Sequence, residues 1–220
     1  MAHHHVSGPV RTALVGFGIA GSVFHAPLIS HNADYRLEVI VSQDPQRVAA
    51  AQQRYPQARI VPDWPSLLQL IDSGEVALDL VVLATPPAQH RDQALAAIRR
   101  GLHLVVDKPF APDAAAAEAM IAAARQANTR LTVFHNRRWD GDFLTLKHLV
   151  QEAAFGTVRS FESRFEWWRP EGFGNWRDSV SLEQGGGLLL DLGSHLIDQA
   201  MQLFGPVQEA SAELARYSGQ

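Results

Sequence analysis

The sequence contains no cysteine. This absence excludes disulfide bonds and thiolate chemistry, suits a reducing cytoplasm, and leaves histidines and carboxylates as the available metal ligands. No apolar run approaches the roughly 20 residues needed to span a membrane. The N-terminus, MAHHHVSGPV, lacks the apolar core of a signal peptide, and its histidines resemble a tag remnant. We therefore expect a cytoplasmic protein without a metal site.

Net charge is also low, at a formal −4 with a pI near 6.2, and the arginines are scattered along the chain. Nucleic-acid-binding domains carry clustered positive charge, so we expect small neutral or anionic ligands, and neither nucleic acid nor membrane as a partner. With 46% hydrophobic and 19% charged residues among 220, the chain is typical of a globular protein with one large or two small domains.

From Val10 to Phe134, apolar β-branched runs alternate with helical patterns, as in βαβ units around a parallel sheet. The predicted strands are VRTALVGFG, RLEVIVS, LDLVVLAT, HLVVDKP and RLTVFHN. The predicted helices lie near 21–31, 45–54, 64–72, 87–100 and 113–127. We expect an α/β fold with a Rossmann, doubly wound parallel sheet over residues 10–138, preceded by a tag or disordered segment at 1–9.

The pattern changes after Trp139, and a second, α+β domain is predicted over residues 139–220. A helix near 142–153 is followed by the alternating segment GTVRSFESRFEWW, which predicts a strand, and VQEASAELARY predicts another. Two strands and a helix make a thin domain, because a two-stranded sheet is marginal alone.

The segment GFGIAG places Gly16, Gly18 and Gly21 between a predicted strand and a predicted helix. This spacing permits a tight turn, close approach of the backbone to a pyrophosphate at the helix N-terminus, and close helix packing. A methyltransferase can also carry a glycine-rich turn, but the strand-turn-helix context favours dinucleotide binding. Ile19 and Ala20, within the motif, are expected to line the cofactor as well.

The end of the second predicted strand should select the nucleotide. NAD binding favours a carboxylate there for the ribose hydroxyls, whereas a 2′-phosphate favours small polar groups and an arginine. Ser42 ends the strand and Arg47 follows, which favours NADP over NAD. Asp44 leaves an alternative open, because it could accept from the ribose or cap the next helix.

Two more predicted strands end in candidate site residues. ATPPAQH follows a buried strand, so Ala84, Thr85 and Pro86 could line the nicotinamide or form a plain turn, and His90 alone carries little weight. VVDKPF places Asp107 and Lys108 at the next strand end, where the lysine faces a cleft or is solvated in a loop. The Lys-Pro peptide is a candidate cis bond.

In GGGLLLDLGSHLIDQ, residues 185–199, a helix would put Asp191, His195 and Asp198 on one face. Such a face is either satisfied core polarity or chemistry. As metal ligands, Asp191 and His195 lack a third partner nearby in sequence. Asp198 is left outside the site, as a residue that caps or pairs.

Five motifs in this order, GFGIAG, ATPP…H, DKP, FHNRRWD and GGG…DLGSHLID, carry a family resemblance. Together they resemble the glucose-fructose oxidoreductase / inositol dehydrogenase / rhizopine-catabolism (Gfo/Idh/MocA) family of NAD(P)-dependent oxidoreductases, over about Val10 to Phe204. FHAPLI and FHNRRWD are similar to the subgroup that includes scyllo-inositol dehydrogenases.

The resemblance implies roles for residues at matching positions. Lys108 would contact the reacting hydroxyl, with Asp191 and His195 completing the catalytic site. Arg137 would reach the substrate, and Asn136 would lie beside the nicotinamide. Arg138 and Trp139 would pair and pack structurally. Asp107, which stands where many relatives have glutamate, would line the cofactor with Lys108 and His90.

Oxidation of a secondary alcohol needs a base with a pKa near neutrality, for which His195 is the candidate. Asp191 would orient the imidazole or hold a substrate hydroxyl, and Lys108 would stabilise the developing alkoxide. The aromatic segment FEWWRPEGFGNW offers Trp167, Trp168 and Trp176 to a sugar or cyclitol ring, with Trp168 as the substrate candidate, although aromatic clusters are more often core.

Members of the family are generally longer, with an open sheet that forms the oligomer interface. We therefore expect the second domain to be incomplete here, and a homo-oligomer where that domain is complete. Two functions remain open: a sugar, cyclitol or polyol dehydrogenase, and a truncated or non-catalytic dinucleotide-binding protein.

Overall fold

The computed structural model describes residues 8–174 and 176–213, without the side chains of Trp176 and Arg177. The predicted tag therefore lies largely outside the described residues. The chain divides into two compact units, one ending at Phe134 and the other beginning at His135. Within the described ranges, no helix is both long and apolar enough to cross a membrane.

A six-stranded parallel sheet forms the centre of the first unit, in the order β3-β2-β1-β4-β5-β6. The strands are β1 Val10–Val15, β2 Tyr35–Val41, β3 Arg59–Val61, β4 Leu80–Leu83, β5 His103–Asp107 and β6 Leu131–Phe134. This order confirms the predicted Rossmann sheet. The sequence prediction missed β3, which is an edge strand of three residues.

The helices of the first unit follow the predicted positions closely. They are α1 Ala26–His31, α2 Pro45–Arg54, α3 Trp64–Asp72, α4 Pro87–Ile98 and α5 Ala114–Gln126. A π-helical turn, Ala20–His25, leads into α1. Three of the helices begin at an aspartate whose carboxylate accepts a backbone N–H of the first turn: Asp44, Asp63 and Asp113.

Two apolar layers cover the sheet, one on each face. Because successive strand residues point to opposite faces, Val15 belongs to the cluster that includes Leu67 of α3, Ala94 of α4 and Met120 of α5. Leu14 belongs to the opposite cluster, formed with α1 and α2. The near-continuous burial of β1, β2 and β4 follows from this double covering.

The second unit contains α6 Gly141–Gln151, α7 Trp176–Ser179 and α8 Ser194–Phe204, with 3-10 turns at Asn136–Trp139 and Leu182–Gln184 and a π-helical turn at Leu189–Gly193. The two strands predicted there were wrong as far as the structure describes them: 156–168 and 207–213 have no strand conformation. Alternation makes a segment suitable for a sheet, but a strand forms only where a second strand pairs with it, and neither described segment is paired. The rest of the second segment, 214–217, lies outside the described residues.

Candidate active site

The glycine turn after β1 is closed so tightly that side chains do not fit at two of its positions. Gly16 has φ +96°, in the region that favours glycine, and a Cβ there would lie 2.5 Å from the carbonyl oxygen of Ala84. A Cβ at Gly21 would lie 2.0 Å from the carbonyl oxygen of Gly16. The first contact joins the turn after β1 to the turn after β4, where the order of the sheet reverses and a doubly wound fold binds its ligand.

Gly18 lies in the middle of the turn, and the space that a side chain would take there is largely open. Apart from one guanidinium nitrogen of Arg47, 3.7 Å away, nothing lies within 4 Å of the position that a Cβ would take. Ile19 is exposed and Ala20 is half-buried beside it. The bare backbone at Gly18, with a cation beside it, fits the phosphates of a dinucleotide.

Asp44 follows β2, and its contacts distinguish the two roles that the sequence left open, which are binding the ribose and capping α2. Its carboxylate accepts the N–H of Arg47 at 2.9 Å and caps α2. Ser42, which is buried, follows the last residue of β2, and its N–H donates to the carbonyl oxygen of Val61. The position that a ribose-binding carboxylate would take is therefore held by a serine, with an exposed arginine nearby.

His90 contacts the backbone of the turn after β4 through its buried ring. The side chain is fully buried, with Nε2 2.8 Å from the carbonyl oxygen of Thr85 and Nδ1 3.2 Å from that of Phe110. Burial lowers the pKa of His90, although the two carbonyls act in the opposite direction. The neutral ring has one N–H, so it can donate to only one of the two carbonyl oxygens.

This arrangement revises the role of His90, because a fully buried side chain has no surface to offer a cofactor. His90 instead connects the turn that carries Thr85 and Pro86 to the loop after β5. The hydroxyl of Thr85 also donates to Gln93 at 2.7 Å.

The turn after β5 presents Lys108 at the same edge of the sheet. Asp107 accepts the backbone N–H of Lys108 at 2.7 Å, and the Lys108–Pro109 bond is cis, as the sequence suggested. The other carboxylate oxygen of Asp107 lies 3.5 Å from Nε2 of His25. The sequence analysis did not single out His25. Its only signal was the motif FHAPLI, since the contact with Asp107 joins residues far apart in the chain.

In the second unit, Asp191 and His195 are both buried, with 2% and 4% of their surface exposed. Asp191 lies in the π-helical turn Leu189–Gly193, and His195 lies in the first turn of α8. π-Helical turns often occur at functional sites. Among residues 8–174 and 176–213, no three His, Asp or Glu side chains are placed to hold a metal ion.

Asp198 has a structural role in the same unit. Its carboxylate accepts two bonds from the guanidinium of Arg138, at 2.7 and 2.5 Å. This bidentate pair joins α8 to the 3-10 turn Asn136–Trp139, and a bond from Gln199 to the carbonyl oxygen of Arg137 reinforces the connection. The structure thus confirms the pairing expected for Arg138.

Two candidates for substrate contact lie in the second unit. The guanidinium of Arg137 donates to Asp140 at 3.0 Å and lies 5.1 Å from the ring centre of Phe165. Trp168 is 89% exposed, which removes the alternative of a core residue, whereas Trp167 packs against the rings of Phe165 and Phe173. The side chain of Trp176 lies outside the described part of the chain.

Comparisons with known proteins agree with this architecture. The model of an oxidoreductase family with an NAD-binding Rossmann fold matches residues 10–135, and that of the GFO/IDH/MocA C-terminal domain matches residues 143–220. The chain is 39% identical to an uncharacterized oxidoreductase, YdgJ, of Escherichia coli, over 96% of this chain and 58% of that protein. It is 32% identical to scyllo-inositol 2-dehydrogenase (NADP(+)) IolW of Bacillus subtilis, over 93% and 54% respectively.

A solved structure is similar to this chain over about the same fraction of its length as these two proteins. The WlbA dehydrogenase from Chromobacterium violaceum, in complex with NADH and UDP-GlcNAcA, superposes with a TM-score of 0.73 and 26% identity, over 91% of this chain and 57% of that one. The chain therefore spans little more than half the length of these relatives.

Proposed function

The chain belongs to the Gfo/Idh/MocA family of oxidoreductases, and on that basis we propose that it transfers a hydride between a secondary alcohol of a sugar, cyclitol or polyol and a nicotinamide dinucleotide. The observation that carries the proposal is the meeting of three strand ends at one edge of the sheet. The turn after β1 approaches Ala84 after β4, and β5, the next strand, ends at Asp107, directly before Lys108. A cofactor cradle and a cation thus share the edge where doubly wound folds bind ligands.

The glycine turn would hold the pyrophosphate, with Thr85 and Pro86 beside the nicotinamide and Asn136 near it. When bound, the nicotinamide supplies the site that accepts or donates the hydride. Lys108 would stabilise negative charge on the substrate oxygen, and the half-buried position of the lysine strengthens such an interaction.

His195 would take the hydroxyl proton. Imidazole is a common general base in enzymes, and the ring of His195 is shielded from bulk water. Asp191, buried one helical turn earlier, would orient the imidazole or hold a neighbouring hydroxyl. Asp107 would hold the turn that presents Lys108, through the bond to the Lys108 N–H.

The proposed substrate class rests on polar and aromatic groups together. Arg137 would bind a hydroxyl or an acidic group, and the exposed Trp168 would cover an apolar ring face. The name of the Bacillus subtilis relative, scyllo-inositol 2-dehydrogenase, makes cyclitols the first compounds to test.

We propose NADP as the preferred cofactor. Ser42 leaves no carboxylate to repel a 2′-phosphate, Asp44 is engaged in capping α2, and Arg47 lies beside the glycine turn. The relative IolW is named for NADP(+), whereas WlbA was solved with NADH. A cytoplasmic location and homo-oligomerisation also stay predictions.

The test compares the wild-type chain with Lys108→Ala. Binding of NADPH and NADH is measured by fluorescence, and initial rates with a panel of cyclitols and sugars. We expect turnover by the wild type and a loss of about 10²-fold in kcat for Lys108→Ala, since removal of one group that stabilises transition-state charge costs that much. Nucleotide affinity should fall much less than kcat, because Lys108 is one of several residues expected to contact the cofactor.

Lys147→Ala is the matched control, because it removes the chain's other lysine, on α6. It should retain both binding and turnover. NADPH binding without turnover of any compound would contradict the proposal and support the alternative of a non-catalytic dinucleotide-binding protein.

A further inference from the structure

His25 is a buried titratable residue on an otherwise apolar helix face. It lies at the end of the π-helical turn Ala20–His25, and 4% of its surface is exposed. Its neighbours on the buried face are Gly21, Ala26 and Ile29. Buried polar atoms are normally hydrogen-bonded, yet Nε2 of His25 has no partner within hydrogen-bond geometry. The carboxylate of Asp107 lies 3.5 Å from this nitrogen.

Two contacts place this ring over the ends of β5 and β6. The centre of the imidazole lies 4.3 Å from that of Phe134, which is the register partner of Asp107 in the sheet. Packing against Phe134 therefore holds the ring where Nε2 points to the carboxylate. Because hydrogen bonds in functional sites are often long before the ligand binds, a distance of 3.5 Å suits a bond that shortens in the complex.

The carboxylate of Asp107 connects His25 to Lys108. One oxygen faces Nε2 of His25, and the other accepts the backbone N–H of Lys108 at 2.7 Å. A rotation of the carboxylate that lost His25 would also disturb the bond to the Lys108 N–H, because both oxygens belong to one rigid group. His25 thereby links the helix after the glycine turn to the strand end that carries Lys108.

We propose that His25 is a positioning residue, which donates from Nε2 to Asp107 and so sets the orientation in which the turn after β5 presents Lys108. The proposal rests on the proposed function only in taking Lys108 as the group that acts on substrate. It assigns His25 no contact with either substrate or cofactor.

The test uses the fact that Lys108 and Lys147 are the only lysines in the sequence. In this 220-residue chain labelled with ¹³Cε-lysine, the NMR signal of Lys108 reports its surroundings, and that of Lys147 is an internal reference. We expect His25→Phe, which keeps a ring against Phe134, to shift the Lys108 signal with and without NADPH. His25→Gln, which keeps a donor near the Nε2 position, should restore the wild-type signal.

Asp107→Asn tests whether the effect passes through the carboxylate. If it does, adding His25→Phe to Asp107→Asn causes no further change in the Lys108 signal. His103→Gln is the control, since His103 lies at the opposite end of β5 and accepts from the N–H of Arg130. It should leave the Lys108 signal in place.

Kinetics add a second readout. We expect His25→Phe to lower kcat about tenfold, as a small misplacement of a catalytic group does, with KM for the nucleotide within about twofold of wild type. If the wild type shows no turnover, the proposed function fails, and the NMR comparison still decides the role of His25.

A folded His25→Phe protein whose Lys108 signal coincides with that of the wild type would overturn the proposal. So would a shift caused by His25→Phe that is equally large in the wild-type and Asp107→Asn backgrounds. If His25→Phe does not fold, the Lys108 signals of His25→Gln and Asp107→Asn are compared with that of the wild type, and this comparison tests the link through Asp107. A wild-type Lys108 signal in Asp107→Asn would then reject the link.

Discussion

At the residue scale, Arg47 determines the expected cofactor preference. Its guanidinium is exposed and lies beside Gly18, while the nearby carboxylate of Asp44 caps α2. We expect Arg47→Ala to weaken NADPH binding about tenfold, because a charge-assisted bond at an exposed site contributes about 1.4 kcal/mol. NADH affinity should fall less, because NADH has no 2′-phosphate. Fluorescence titrations with both nucleotides measure this.

Arg54→Ala is the matched control, since it removes the same charge from the other end of α2, where Arg54 lies against Tyr55. Equal losses of NADPH affinity in the two variants would show that Arg47 contributes only general positive charge. Ser42→Asp should act in the opposite sense, favouring NADH, because a carboxylate accepts from the ribose and repels the 2′-phosphate.

At the element scale, the glycine turn depends on two contacts between backbone atoms. We expect Gly21→Ala to reduce nucleotide binding by at least about tenfold and to destabilise the first unit by about 1–3 kcal/mol, because the new Cβ would lie 2.0 Å from the Gly16 carbonyl oxygen. Urea denaturation and NADPH titration check both effects. Gly141→Ala, at the start of α6 with nothing within 4 Å of the new Cβ, should be neutral. Wild-type affinity for NADPH in Gly21→Ala would show that the backbone of the turn shifts to accommodate the new Cβ, against this prediction.

The elements themselves were predictable to different degrees. The helices at 45–54 and 64–72 were placed to the residue, because an aspartate cap and a proline at the first or second helical position mark each start. β3 was missed since three residues at a sheet edge show too little pattern. The predicted strand at 156–168 was wrong because alternation reports an amphipathic segment, whereas a strand also needs a paired neighbour.

At the scale of the whole molecule, strand order decides which motifs meet. The sequence placed Gly16, Ala84 and Lys108 each after a predicted strand of a doubly wound sheet. They meet because parallel strands end on the same side and the observed order puts β1, β4 and β5 side by side. The link from His25 to Asp107 could not be predicted in this way. It depends on how a helix lies over the sheet, which is set by packing rather than by motif spacing.

A long-range ion pair connects β1 and β4 at the other end of the sheet, where these strands begin. Arg11, in β1, donates three bonds to Asp79, just before β4, at 2.9, 2.9 and 2.7 Å. These bonds lower the pKa of Asp79 below its ordinary value of 3.8, although partial burial acts against them. Since the folded-state pKa is the lower one, the pair stabilises the protein fully above the unfolded-state pKa, and this stabilisation is lost as the pH falls through the folded-state pKa.

We therefore expect Asp79→Asn to lower the free energy of unfolding by about 1–2 kcal/mol at pH 7, and the difference from wild type to shrink below about pH 3. Urea denaturation followed by circular dichroism at both pH values measures it. Asp72→Asn removes a similar bidentate partner, of Arg100, from an exposed position, where water screens the charges. Its effect should be smaller at pH 7, and equal effects in the two variants would show that connecting β1 to the start of β4 adds no stability.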